Sequence, residues 1–433
     1  MRISTWVALA AAAAIGCGGG GGDSQPTATA KPATATAAAP PPAAAEAPRR
    51  DALAGGPHPA LLVTQAHFVD QVVGGKTQSM PGPSRLIIVR DTGDGWKPVY
   101  LDDPDSNVLH KALPYDGGLL TIGGNQALLR VWRFADGAWK ADTHWNPKFG
   151  GRFDRLRDVE MGDVDGDGKP ELVVATHDQG VIAVLHPDED WRVDEVDRTP
   201  TTFVHEIEIG DIDGDGVNEF FATPSKPNKL DQEQPGEVVM FRRDGDGWQK
   251  SVVDAPPDTH AKEILAADVN ANGRSELYVV WEGAVAAGGA LVEPVTIKSY
   301  AWGENDPKND DGTPKPQVVA TVPDRQMRAI AAGDVNHDGT IDLVAGALSA
   351  GLFLFEQIGN EWKPTPIDPA SSGFEHPVHV ADLDGDGKAE LYVASEDQGE
   401  LRRYLWDGQR FVKTVLMPLG KGDITWNVTH GTF

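Results

Sequence analysis

The stretch GDVDGDGKPELVVAT, residues 162–176, decides the fold. Asp163, Asp165, Asp167 and Glu171 fall within nine residues, and a run of strand-forming residues follows at once. Carboxylates this close repel one another unless a cation lies among them. Acid alternating with glycine suits a tight loop, so the stretch reads as an acidic loop that feeds a strand.

It recurs as DIDGDGVNE at 211–219, DVNANGRSE at 268–276, DVNHDGTID at 334–342 and DLDGDGKAE at 382–390. Successive starts lie 48, 57, 66 and 48 residues apart, the range of propeller blades. A small residue and an alternating apolar run such as HEIEIG precede each loop, and ELVVAT, ELYVV or ELYVAS follows. The unit is strand, acidic loop, strand.

An EF-hand would need flanking helices and a bidentate Glu at the twelfth position, where these loops carry Val174, Ala222, Val279, Ala345 and Val393. Here the closing carboxylate comes ninth. Oxygen donors at position 1 (Asp163, Asp211, Asp268, Asp334, Asp382), position 3 (Asp165, Asp213, Asn270, Asn336, Asp384), position 5 (Asp167, Asp215, Asn272, Asp338, Asp386) and position 9 (Glu171, Glu219, Glu276, Asp342, Glu390) would form a cage. A backbone carbonyl at position 7 and a glycine at position 6 complete a hard-cation site of the calcium type. The loop with Asn270 and Asn272 carries the least charge and is expected to bind most weakly or stay empty. RDGDGW at 243–248 looks alike, but its fifth and ninth positions counted from Asp244 are Trp248 and Val252, so it reads as a plain Asp-Gly turn.

This pattern resembles the FG-GAP or VCBS repeat, the calcium-loop blade of integrin α-subunit-like propellers. The resemblance implies an all-β, seven-bladed β-propeller with up to five structural Ca2+ ions bound between strands a and b of five blades. Aromatic-led turns give the blade count: residues 60–103, 105–145, 153–197, 203–254, 261–323, 328–368 and 376–417. The first lacks an innermost strand, and residues 424–433 are expected to supply it and lock the ring. Chain direction puts the cation loops on one face and the b–c connections on the other. The b–c connections carry long insertions at 66–84, 224–236 and 282–294, and a c–d insertion lies at 303–316.

Ahead of the blades, MRISTWVALAAAAAIGC reads as a secretory signal, and Ala14-Ile15-Gly16-Cys17 resembles the bacterial lipobox. The expected division is a signal over 1–16, a lipidated Cys17 with a Gly/Ala/Pro/Thr tether over 17–57, and the propeller over 58–433. A flexible tether of that length spans about 35 Å. By the same resemblance, Gly18 favours an outer-membrane destination in the cell envelope. Cys17 is the sole cysteine, so no disulfide is available. A formal charge of −27 argues against nucleic acid and against any membrane contact other than the lipid. A monomer is expected.

Six residues before each loop stands a basic side chain: Arg157, His205, Lys262, Arg328 and His376, with His110 in a blade that has no cation loop. They could form a collar that binds an anion, or each could be neutralised by nearby acids such as Asp158, Glu206 and Glu263. Trp281 and Trp302, beside insertions, could stack on sugars. No Gly-rich phosphate loop, nucleophile elbow, HExxH or Cys–His metal pattern occurs. The reading is a binding module for a protein or glycan on the face opposite the loops. The alternatives are a lyase-like enzyme acting on acidic polysaccharide through His205 with Arg157 or His376 with Arg328, or a purely structural envelope protein.

Overall fold

The computed structural model describes residues 58–432 except 74–75, 152–153, 228–233, 287–289, 360 and 421. The signal, Cys17 and the tether lie outside the described residues. Strands form seven four-stranded antiparallel sheets and two small hairpins. Strand a of blades 2 to 7 is Leu109–Tyr115, Leu156–Gly162, Phe203–Gly210, Ala261–Ala267, Met327–Gly333 and Val378–Ala381, and strands b, c and d follow in chain order. In blade 1 the order is Ile424–Thr432, Pro59–Ala66, Ser84–Asp91 and Trp96–Asp103. The C-terminal strand pairs antiparallel with Pro59–Ala66, with Val428 opposite Val63. Among the described residues no helix is long and apolar enough to cross a membrane.

Burial follows position in the blade. Strand b lies between two strands of its own sheet and between two neighbouring blades, so Glu171–Thr176 and Glu390–Ser395 are buried at every residue. Such strands read as continuous apolar runs, without alternation. Outermost strands such as Ala138–Trp145 are largely exposed.

The core is divided among the blade interfaces. Val173, Ala175 and Ile182 of blade 3 pack with Ile207, Phe220 and Phe241 of blade 4. Among the described residues a comparable cluster joins every neighbouring pair, including blades 7 and 1 through Tyr392, Leu401, Leu61 and Val89. The small residue before each loop follows from this packing: a Cβ on Gly333 would lie 2.5 Å from Val380 Cγ1 of blade 7.

In blades 1 and 5 the b–c insertions project from the ends opposite those that carry the acidic a–b loops. In blade 1 the insertion is the hairpin Phe68–Val73 with Lys76–Pro81, and in blade 5 it is Ala284–Val285 with Leu291–Glu293. The Asp244 stretch is a two-residue hairpin in which Asp244 pairs with Gly247, as its sequence indicated.

Candidate functional site

Each acidic loop joins strand a to strand b and is organised by its own carboxylates. In blade 3, Asp163 accepts hydrogen bonds from the amides of Gly166 and Gly168 at 2.8 and 2.9 Å, Asp165 from Asp167, and Asp167 from Lys169. Gly166 and Gly168 lie at φ +81° and +84°, where glycine is favoured. Ala271 and His337 take the same left-handed conformation at position 4 of their loops. The closing Glu171 accepts from Val164, and Glu219, Glu276 and Glu390 repeat the bond with Ile212, Val269 and Leu383. Blade 2 lacks a loop: a two-residue turn, Asp116-Gly117, links its strands a and b.

Several of these clusters could hold a metal. Asp163, Asp165 and Asp167 bring one oxygen each within 4.8 Å of one another, as do Asp382, Asp384 and Asp386, and Asp211, Asp213 and Glu219. Burial pushes Glu171, Glu219, Glu276 and Glu390 above the usual carboxylate range. Blade 6 gives the sharpest test of fit. Its closing residue is Asp, one methylene shorter than Glu, and the amide of Val335 bonds to Gly333 instead. Asp342 is 0% exposed and both its carboxylate oxygens lack a partner. Burial, then Asp338, Glu356 and Asp334, push it up to about 7. A buried anion without a donor is costly, and a cation among these oxygens would remove that cost.

The loops differ in what faces them from strand c. Extending the observed pairing by one residue places His186, Arg242, Ala301, Glu356 and Leu405 opposite the closing carboxylates of blades 3 to 7. Arg242 spans Glu219 and Asp213 at 2.8 Å each, so blade 4 carries its own counter-cation. In blade 5, Asn270 donates to Glu276 and thereby lowers the demand for a cation there.

The collar is not a ring of cations. Strand pairing shifts register around Arg157, His205, Lys262, Arg328 and His110 in blades 3, 4, 5, 6 and 2, and such bulges re-aim side chains. His376 precedes its strand at φ +48°. His110, Arg157 and Arg328 line a cavity of about 30 Å³ with Asp158, Glu206, Glu263, Glu375, Trp426 and Asn427. That volume is room for a water molecule, far too little for a sugar.

His205 is fully buried, with Nε2 2.8 Å from Ser225 Oγ, and His376 lies between Ala347 O and Ser371 Oγ at 2.8 and 2.7 Å. Burial pushes His110 and His205 well below the ordinary histidine value, and His376 down to about 4, which favours the neutral form of each. Lys262, 3.0 Å from His205 Nδ1, is lowered to about 7 by burial and by Arg328.

Arg328 reaches Glu282 at 2.9 Å and Glu375 at 3.0 Å, and Arg157 lies 3.8 Å from Glu375 and 5.0 Å from the Trp426 ring centre. Neutralisation thus comes from Glu282 and Glu375, which sequence reasoning missed. Asp158 instead binds Lys111 at 3.0 Å and caps the amide of Ile207 in the next blade at 2.8 Å. Trp281 is buried in the core between blades 4 and 5, and Trp302 packs on Phe221, so neither presents a stacking platform.

The FG-GAP-like repeat model matches residues 163–222 and 334–393, each running from one acidic loop through the acidic loop of the next blade into that blade's strand b. No curated protein sequence matches the chain. Among solved structures it is similar to a 6-phosphogluconolactonase-like protein of Bacteroides uniformis, at 13% identity and a TM-score of 0.51, covering 86% of this chain and 99% of that one. A counterpart from Bacteroides fragilis gives 12% and 0.48 over 86% and 98%, and a mutant of Synechocystis apocarotenoid oxygenase gives 11% and 0.48 over 86% and 92%. At such identity the first likeness concerns fold alone. The chain carries FG-GAP-like repeats on an all-β, seven-bladed propeller.

Proposed function

We propose that this chain is a calcium-stabilised propeller that works as a monomeric binding module, held to the cell envelope by a lipid on Cys17, with a protein ligand on the face opposite the cation loops. The observation that carries the binding reading is the pair of hairpins projecting from that face. The blades do not need them, yet they expose apolar side chains: Val72 is 76% exposed and Val292 62%, with Val285 and Leu291 beside it. Apolar tips of this kind suit a protein partner better than a sugar.

Calcium is supported by the all-oxygen donor sets and by the unpartnered Asp342. The lyase alternative has weak support, because His205 and His376, its intended bases, are buried in hydrogen bonds to serine. Photocrosslinking residues placed at Val72 and Val292 of the full-length protein in intact cells test the ligand reading. Adducts to one protein species at these positions, absent from a control at Lys140, would support it. Equal yields at all three positions, or adducts to lipid alone, would refute it.

A further inference from the structure

His186 ends strand c of blade 3 and is 1% exposed. Its Nε2 donates to Asp194 Oδ2 at 3.1 Å, and Arg192 also binds Asp194. That bond makes Nε2 the donor, so in the neutral imidazole Nδ1 is the nitrogen open to a metal. Nδ1 faces Glu171 Oε1 at 3.7 Å and Asp165 Oδ2 at 3.8 Å. Both separations are too long for hydrogen bonds. Glu171 is 1% exposed and its Oε1 has no partner. An imidazole nitrogen and two carboxylate oxygens therefore converge on one buried point, the nitrogen outside hydrogen-bond distance of either oxygen. All three atoms lie within 4.8 Å of one another.

We infer that Asp165, Glu171 and His186 form a mixed nitrogen–oxygen site for a borderline divalent transition ion such as zinc, distinct in chemistry from the all-oxygen loops of the other blades. Two ligands about 2.0–2.2 Å from one ion sit roughly 2.8–3.6 Å apart, so the two gaps from Nδ1, 3.8 and 3.7 Å, close with shifts of a few tenths of an ångström. The Asp194–His186 bond supplies the carboxylate–histidine arrangement that orients an imidazole toward a metal. Calcium gains little from a nitrogen donor, whereas zinc, cobalt and nickel gain much. The strand c residues in register with the other closing carboxylates are Arg242, Ala301, Glu356 and Leu405, and in blade 7 Arg403 also lies 3.8 Å from Glu390; none of them is an imidazole. The inference rests on the reading that these loops are cation sites.

The test titrates cobalt(II) into chelator-stripped full-length protein with calcium in excess, following visible absorption. The expected result is a band saturating at one cobalt per chain, unchanged in His379→Gln, and weakened by more than about tenfold in affinity in His186→Gln. His379 is the control because its Nε2 lies 2.7 Å from His430 Nδ1, an imidazole pair elsewhere in the ring that could bind cobalt by itself. No band, or an equal band in His186→Gln, overturns the site. X-ray absorption on cobalt-loaded parent protein gives an answer that needs no variant: one imidazole per cobalt supports the site, and none or two refutes it. Calcium-dependent melting of the parent separates the two readings. If calcium stabilises and cobalt gives no band, only this inference fails, whereas no stabilisation by calcium removes the loop reading itself.

Discussion

Replacing Asp342 with Asn should reverse the order of stability between calcium and chelator. Its folded-state pKa is raised from 3.8 to about 7, chiefly by burial and then by Asp338, Glu356 and Asp334. For a raised carboxylate the sign is fixed: in cation-free protein its contribution is full below about pH 4 and is lost as the pH rises through 7. Asn has no such penalty. The variant should therefore exceed the parent by about 2 kcal/mol at pH 5.5 and by about 4 kcal/mol at pH 8, an upper bound set by the three pH units between the two values. In saturating calcium the parent regains the charge the ion needs, and the variant loses the linked stabilisation. Denaturant melts followed by circular dichroism, with chelator and with calcium at both pH values, give all the differences required. A variant less stable than the parent in chelator, or a gap that does not widen with pH, would refute the claim that Asp342 is a buried anion awaiting a cation.

Arg242→Ala should make the protein more dependent on calcium, because Asp213 and Glu219 lose the guanidinium that spans them. The drop in melting temperature caused by chelator should grow, and an unchanged drop would show that Arg242 does not neutralise that loop. Deleting residues 424–433 removes the pairing with Pro59–Ala66, the burial of Val428, and the bond from the Thr425 amide to Glu396 at 2.7 Å. If that strand locks the ring, the cooperative melt should be lost and be restored by the same segment added as a peptide; a truncated protein that melts like its parent would end the idea. Cys17→Ala should abolish partitioning into the detergent phase, and continued partitioning would rule out the lipid anchor.

How much of this was legible in the sequence depends on which chemistry does the positioning. Loop geometry is local: glycine at position 6 and carboxylates that accept the loop's own amides dictate the turn, so five copies could be read directly. Blade number followed from the short aromatic-led hairpins, whose turn residues are also local. The collar rested on a fixed six-residue offset from each loop, which places residues at one height on strand a but does not fix where their side chains point. A bulge at that height in five blades, and the left-handed His376 in blade 7, re-aim them. Its true counter-charges, Glu282 and Glu375, come from other blades and from no fixed offset.

The same distinction explains why five loops that look interchangeable are not. The features they share are written within nine consecutive residues. The feature that separates them is the residue facing the closing carboxylate from strand c, which lies about fifteen residues on in blade 3 but twenty-three in blade 4, because a long insertion intervenes. Only strand register brings His186 to Glu171 and Arg242 to Glu219. An arginine there makes the loop self-neutralising, whereas a histidine changes which ion it prefers. Glutamate, as in blade 6, deepens the need for a cation, consistent with its contribution to the raised Asp342. If strand c sets ion content, exchanging residues 186 and 242 between the two blades should exchange their metal behaviour while leaving both acidic motifs untouched. Unchanged cobalt and calcium binding in the doubly exchanged protein would show that the nine-residue loops alone decide.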